Sequence, residues 1–291
     1  MTSTLVASTS NCDPSAQAHN ISCTDPVPCV PLLLAAFNTL PWNIPVARAM
    51  AFVVNPLTTL LSPAPTYPSA WAGRPEWKYW RGLGVITAVE YADTPVGPYS
   101  ELIYTVGFYK ANCKAWAPNS IVRIWVDSSA TCDAAHRIWG IPKEKASFQW
   151  HETNNTLGVT VTDAGSGEVL FKATAKDTFA KVNWFRALLP TSRQTVHWPI
   201  DANKQRPVAA GTIPAYKVAE DALAEGKALT TTMHVDYTGA VVNTASSVYI
   251  NQEAFTGRQK QRYPLGVVPV GVSFKSGDAN PVWSIDKPSM C

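Results

Sequence analysis

From Gly82 onward the chain breaks into short runs enriched in β-branched and aromatic residues, the composition of strands that pack a sheet face. Val85 to Tyr91, Glu101 to Tyr109 and Ile121 to Val126 are the first three. Phe148 to His151, Leu157 to Thr162 and Val169 to Ala175 follow, then Met233 to Ile250 and Leu265 to Phe274. Asp163-Ala164-Gly165-Ser166-Gly167-Glu168 reads as a hairpin turn between two of them. Its glycines do not make a phosphate loop, because no GxGxxG or GK[ST] pattern follows. Helical stretches are few. The best is Ala215 to Gly226, and Trp184 to Pro190 is a short amphipathic segment or strand end. Many short strands and few helices predict a mainly β, β-rich α+β domain built as a closed or nearly closed antiparallel β-barrel around a small-molecule cavity.

The first 62 residues differ. Residues 1–29 are rich in Ser, Thr, Pro and Asn and read as an irregular arm. Residues 30–62 hold two short apolar helical candidates, Pro31 to Phe37 and Val46 to Val54, interrupted by Pro41 and Pro45. The prolines break any run of about 20 apolar residues, so stable insertion in a membrane is not expected. This apolar segment is expected to pack on the domain that occupies residues 63–291, to cover a pocket mouth, or to contact a second copy in a homo-oligomer.

Composition narrows the function. The chain has 291 residues, 46% of them hydrophobic, which allows a large core. Only 15% are charged and the net charge is +3, with basic residues scattered, so no nucleic-acid partner is indicated. Eleven tryptophans offer core filling or an aromatic-lined ligand pocket. The six cysteines form no CxxC pair and no compact framework, and free thiols are expected. The five histidines stand outside any HxH or HExxH pattern, so no metal site is expected, and no nucleotide or flavin fingerprint or GxSxG elbow appears. Met1 to Asn11 has neither a basic residue nor a long apolar core, which favours a cytoplasmic location over secretion.

The most informative stretch is Arg137-Ile138-Trp139-Gly140-Ile141-Pro142-Lys143. A lysine pressed among apolar residues loses the hydration of its ammonium form. Its pKa falls and the free amine becomes a nucleophile. The alternative is a lysine whose stem packs while its head stays in water. This stretch resembles the signature segment of the acetoacetate decarboxylase-like superfamily. Val96-Gly97-Pro98-Tyr99-Ser100-Glu101-Leu102-Ile103-Tyr104 resembles the strand before it in many members, as does Arg123-Ile124-Trp125-Val126-Asp127-Ser128. The resemblance implies a β-barrel-like domain whose interior binds a small carbonyl compound, with Lys143 at the Schiff-base position. In the decarboxylases a second lysine comes next; here Glu144 does, and a carboxylate beside an ammonium would raise its pKa. Lys145, if the segment is extended, shares the face of Lys143 and restores part of the missing positive charge.

Three catalytic candidates follow: Lys143, Arg137 and Glu101. Glu101 is a general acid or base if it points inward and ordinary surface if it points outward. Arg137 and Arg123 can orient an anion or carbonyl, or can be tied up in salt bridges to Asp127, Asp133 or Glu101. Arg123, Trp125, Trp139, Tyr99 and Tyr104 are the substrate-binding candidates. No cofactor is indicated. Three functions remain open: a cofactor-independent cyclase or pericyclase on a polyketide- or terpenoid-derived substrate, a Schiff-base β-keto acid decarboxylase using Lys143, and a non-catalytic binder of a hydrophobic small molecule.

Overall fold

The computed structural model describes residues 41–54, 78–81, 84–106, 108–111, 114–117, 120–135, 143–181, 193–200, 229–237, 239–256, 267–275, 282–286 and 289–290. In chain order the strands are β1 (Trp42–Val54), β2 (Lys78–Arg81), β3 (Gly84–Tyr91), β4 (Tyr99–Val106), β5 (Phe108–Ala111), β6 (Lys114–Ala117), β7 (Ser120–Val126), β8 (Glu144–Thr153), β9 (Thr156–Asp163) and β10 (Val169–Lys181). They continue with β11 (Arg193–Ile200), β12 (Leu229–Asp236), β13 (Val241–Ile250), β14 (Val267–Phe274), β15 (Val282–Ile285) and β16 (Ser289–Met290). Two short helices are described, α1 (Ser129–Ala134) and α2 (Gln252–Thr256).

Nine strands close a barrel in the order β1-β14-β13-β10-β9-β8-β7-β4-β3, with β3 returning to β1 along Val46 to Val54. All neighbours are antiparallel except β7 and β8, which pair in parallel through Trp125↔Glu144 and Val126↔Lys145. The barrel is therefore mixed, not purely antiparallel as the sequence suggested. Parallel neighbours need a connection that leaves the sheet. The stretch from Asp127 to Lys143 is that connection, and α1 lies on it. β15, β12 and β11 extend the sheet from the N-terminal end of β1, where Trp42 pairs with Ile285. β2, β5 and β6 form a small separate sheet.

Val46 to Val54, expected to be helical, is instead the second half of β1. Short apolar runs cannot be assigned by periodicity alone. β1 is apolar on both faces because both are covered, the pattern of a central strand. Pro45 is tolerated near the strand's start, where its carbonyl accepts a hydrogen bond from the Ala92 amide at 2.9 Å. Pro31 to Phe37, Trp184 to Pro190 and Ala215 to Gly226 lie outside the described residues. The expected hairpin turn is present: Asp163 accepts from the Gly165 and Ser166 amides, and Gly167 takes a positive φ of 74°.

Side-chain alternation divides the core in two. Met50, Ala88, Leu102 and Trp125 sit side by side on β1, β3, β4 and β7 and face the barrel interior. Contacts between non-neighbouring strands show which face is inside. Phe52 on β1 meets Phe171 on β10 at 6.5 Å, and the Arg48 guanidinium lies 5.3 Å over the Trp150 ring on β8. The other face carries the row Ala49, Val89, Glu101, Val126 and Lys145. That outer face is buried too, beneath α1 and a layer built on β12 and β15. There Trp283 meets Tyr91 at 5.8 Å and Tyr237 at 6.0 Å.

Cys132 on α1 is disulfide-bonded, against the expectation of free thiols. Bonding depends on Cα atoms approaching to roughly 4–7 Å, which spacing along a chain does not reveal. Disulfides persist in oxidising compartments, so this bond gives no support to the cytoplasmic location expected from the sequence. No helix among the described residues is long and apolar enough to cross a membrane.

Candidate active site

The crossover that carries α1 delivers Lys143 to the foot of β8, on the outer face of the barrel wall. Its side chain is only 8% exposed. The ammonium nitrogen lies 3.3 Å from Glu101 Oε2 and 3.2 Å from Thr131 Oγ1, and 5.2 Å over the Tyr99 ring. The partners come from two elements. Glu101 and Tyr99 are two residues apart on β4, which puts both on one face; Thr131 is on α1. Glu101 is therefore buried, at 4% exposure, on the outer face of the wall and not in the barrel interior.

Burial dominates the electrostatics. It lowers the Lys143 pKa below the ordinary lysine value, while the Glu101 carboxylate pulls in the opposite direction. Burial, then Glu101, also pushes the Tyr99 phenol well above its usual range, and that phenol is within hydrogen-bonding reach of both Glu101 and Thr131. Tyr91, beside Tyr99 with ring centroids 4.9 Å apart, is raised well above its usual range, by burial first and Glu101 second. On the far side of the compartment burial pushes Tyr237 up to about 12, against its hydrogen bond to Thr87 at 3.3 Å. The whole is a lysine–glutamate pair in a buried, aromatic layer.

Glu144 does not do what its position in sequence suggests. Consecutive strand residues project to opposite faces. Glu144 accepts from Arg123 Nη1 at 2.6 Å and from Trp125 Nε1 at 3.0 Å, on the interior side of the wall. The carboxylate that faces Lys143 is Glu101, 42 residues earlier in the chain. Lys145 does share the face of Lys143, but its ammonium donates to the Asp127 carbonyl at 2.5 Å. Burial lowers the Lys145 pKa and Asp127 opposes the shift. Asp127, whose own pKa burial raises, takes a hydrogen bond from the Ser100 amide at 2.8 Å.

The sequence-derived residues thus divide across one wall. Lys143, Glu101 and Tyr99 meet on its outer face. Arg123, Trp125 and Tyr104 belong to the interior, where Trp125 and Tyr104 pack on Phe255 of α2 at 4.9 and 5.4 Å. Arg123 is salt-bridged, to Glu144 and not to the carboxylates considered from the sequence. Arg137 and Trp139 lie outside the described residues. Thr131, Tyr91, Tyr237 and Trp283 complete the outer compartment and were not singled out from the sequence. The period-2 alternation of β4 would have paired Tyr99 with Glu101, but nothing local connects either to Thr131 or Trp283.

This architecture matches solved structures along most of its length. Acetoacetate decarboxylase from Legionella pneumophila subsp. pneumophila str. Philadelphia 1 superposes with a TM-score of 0.56, covering 86% of this chain and 87% of that one at 13% identity. The chain has the acetoacetate decarboxylase fold. A second acetoacetate decarboxylase structure gives a TM-score of 0.52 at 10% identity, covering 88% and 91% of the two chains. The enduracididine biosynthesis enzyme MppR gives 0.51 at 10% identity, covering 86% and 87%. At these identities the likeness is one of fold. No family model matches the sequence, and no curated protein matches it.

Proposed function

We propose that this acetoacetate decarboxylase-fold chain is a small-molecule enzyme that makes or breaks carbon–carbon bonds through an imine on Lys143, with a β-keto acid as the substrate class. The observation that carries the reading is the buried amine 3.3 Å from a single carboxylate. Glu101 accepts a proton from the ammonium, and the free amine attacks the substrate's carbonyl carbon. That proton and a second one from the attacking nitrogen pass to the carbinolamine oxygen, which leaves as water and leaves a protonated imine. The protonated imine nitrogen then receives the electron pair of the breaking C–C bond as carbon dioxide departs. Reprotonation of the enamine carbon and hydrolysis release the ketone and the lysine. Burial serves this chemistry twice: it favours the neutral nucleophile and strengthens the interaction of the cationic imine with Glu101.

Borohydride reduction in the presence of acetoacetate is the direct test. A stable adduct on the peptide containing Lys143, absent without the keto acid and absent in Lys143→Ala, is the expected result. A Lys143→Ala variant that turns over a substrate at the wild-type rate would overturn the imine mechanism.

A second reading, a cyclase or pericyclase of specialised metabolism acting on a polyketide- or terpenoid-derived substrate, is favoured by the aromatic lining. Tyr91, Tyr99, Tyr237 and Trp283 present rigid faces to one compartment, suited to holding a flexible substrate in a reactive geometry. A binder of hydrophobic small molecules would use the same faces without turnover. In both cases borohydride traps nothing on Lys143.

A further inference from the structure

Among the described residues the Tyr91 hydroxyl is a buried polar group with no hydrogen-bond partner, although the residue is only 1% exposed. Buried hydroxyls normally find a partner, because an unmade hydrogen bond costs its full desolvation. The four other hydroxyl groups around the compartment follow that rule. Tyr237 and Thr87 bond each other, Thr131 accepts from Lys143, and the Tyr99 phenol reaches Glu101 and Thr131. Tyr91 alone in this set is left with an unused donor.

Its ring is held between two neighbours. It pairs with Tyr99 across β3 and β4, packs on the Tyr99 ring in a tilted arrangement at 4.9 Å and meets the edge of Trp283 at 5.8 Å. A hydroxyl held this firmly and left without a partner is arranged for something that arrives. We propose that Tyr91 is a substrate-binding residue, its hydroxyl donating a hydrogen bond to an oxygen of the carbonyl compound that Lys143 engages. The inference rests on the imine reading above and adds the group that orients the substrate's oxygen. Burial and the nearby Glu101 keep the phenol protonated well past its ordinary range, so it donates throughout the neutral and alkaline region. An oxygen-bearing ligand thereby gains a neutral donor on the β3 side and the amine on the α1 side.

Tyr91→Phe tests this, because the phenylalanine ring preserves the packing on Tyr99 and Trp283 and removes the hydroxyl alone. The probe is acetylacetone, a β-diketone whose enaminone with an amine absorbs in the near ultraviolet. In the wild type it should form that adduct on Lys143. In Tyr91→Phe its apparent affinity should fall about tenfold, the value of one good hydrogen bond, while the melting temperature holds or rises because an unsatisfied buried group has gone. Thr105→Val is the structural comparator: its buried hydroxyl donates to the Val85 carbonyl at 3.2 Å, so it should lose thermal stability and keep acetylacetone affinity. Wild-type adduct formation with unchanged affinity in Tyr91→Phe overturns the assignment of Tyr91 and leaves the imine reading standing. A lowered melting temperature in Tyr91→Phe also overturns it, since the hydroxyl would then be structural. No adduct on wild-type Lys143 overturns the imine reading and the inference with it.

Discussion

Glu101→Leu should cost this protein about 3–5 kcal/mol of stability near neutral pH, the usual penalty for stranding one half of a buried ion pair. The Lys143 and Glu101 side chains are 8% and 5% exposed, so solvent screening does little to soften the loss. Adding Lys143→Met should recover most of it, because an apolar pair of similar volume removes the unpaired charge. Activity should stay lost in both variants.

The pH dependence follows from the sign of the lysine shift. In the folded chain Lys143 releases its proton below the ordinary value of 10.5. Between that lowered value and 10.5 the unfolded chain holds a proton that the folded chain has lost, so stability from this group rises with pH. Without Glu101 the amine's pKa drops further and the window opens downward. The Glu101→Leu penalty should therefore be largest near neutrality and shrink as pH climbs. Tyr91, Tyr99 and Tyr237 have the opposite sign. Their folded-state values lie above 10.0, so their contribution is lost as pH rises past that point. Denaturant midpoints taken from neutrality to just below pH 10 isolate the lysine. A penalty that does not change with pH, or that stays below about 1 kcal/mol, would mean that the pair is not the desolvated one described.

How much of this was legible in the chain depends on the range of the interaction. Strand composition located β3, β4, β7, β9 and β10, since it reports local burial. The apolar step before Lys143 left two possibilities, a desolvated amine or a packed stem with its head in water, and in the structure the side chain is buried beside Glu101. What one strand cannot announce is which face lies against what. Lys143 and Glu144 look like a coupled pair in sequence, yet the period-2 pleat sends them to opposite sides of the wall. Glu101 became Lys143's partner because β7 and β8 run parallel, and that depends on a crossover no local pattern encodes. The same limit hid Trp283 and Tyr237, which reach the site only through sheet extension from β1. β1 itself was missed because a strand buried on both faces loses the alternation that distinguishes strands from helices.

Gly271→Ala should be the most damaging small substitution in the barrel, at about 3 kcal/mol. Gly271 on β14 faces Phe52 on β1, and a Cβ placed there would stand 2.5 Å from the Ala51 carbonyl oxygen and 2.7 Å from Phe52 Cδ1. The ring atom can move, but only towards Phe171, 6.5 Å away between centroids across the filled interior. The carbonyl cannot move without separating β14 from β1 along a seam of the closed barrel. A glycine in mid-strand is a sign of such close backbone approach. Gly97→Ala makes the comparator: Gly97 has a φ of 88° and nothing within 4 Å of its notional Cβ. It should lose only the roughly 1–2 kcal/mol of a left-handed backbone position. Phe52→Leu in the Gly271→Ala background should recover part of the loss, since it relieves the ring contact and leaves the carbonyl contact in place. If Gly271→Ala proves no worse than Gly97→Ala in thermal unfolding, the β1–β14 seam is looser than these distances require, and the barrel's closure does not depend on the missing side chain.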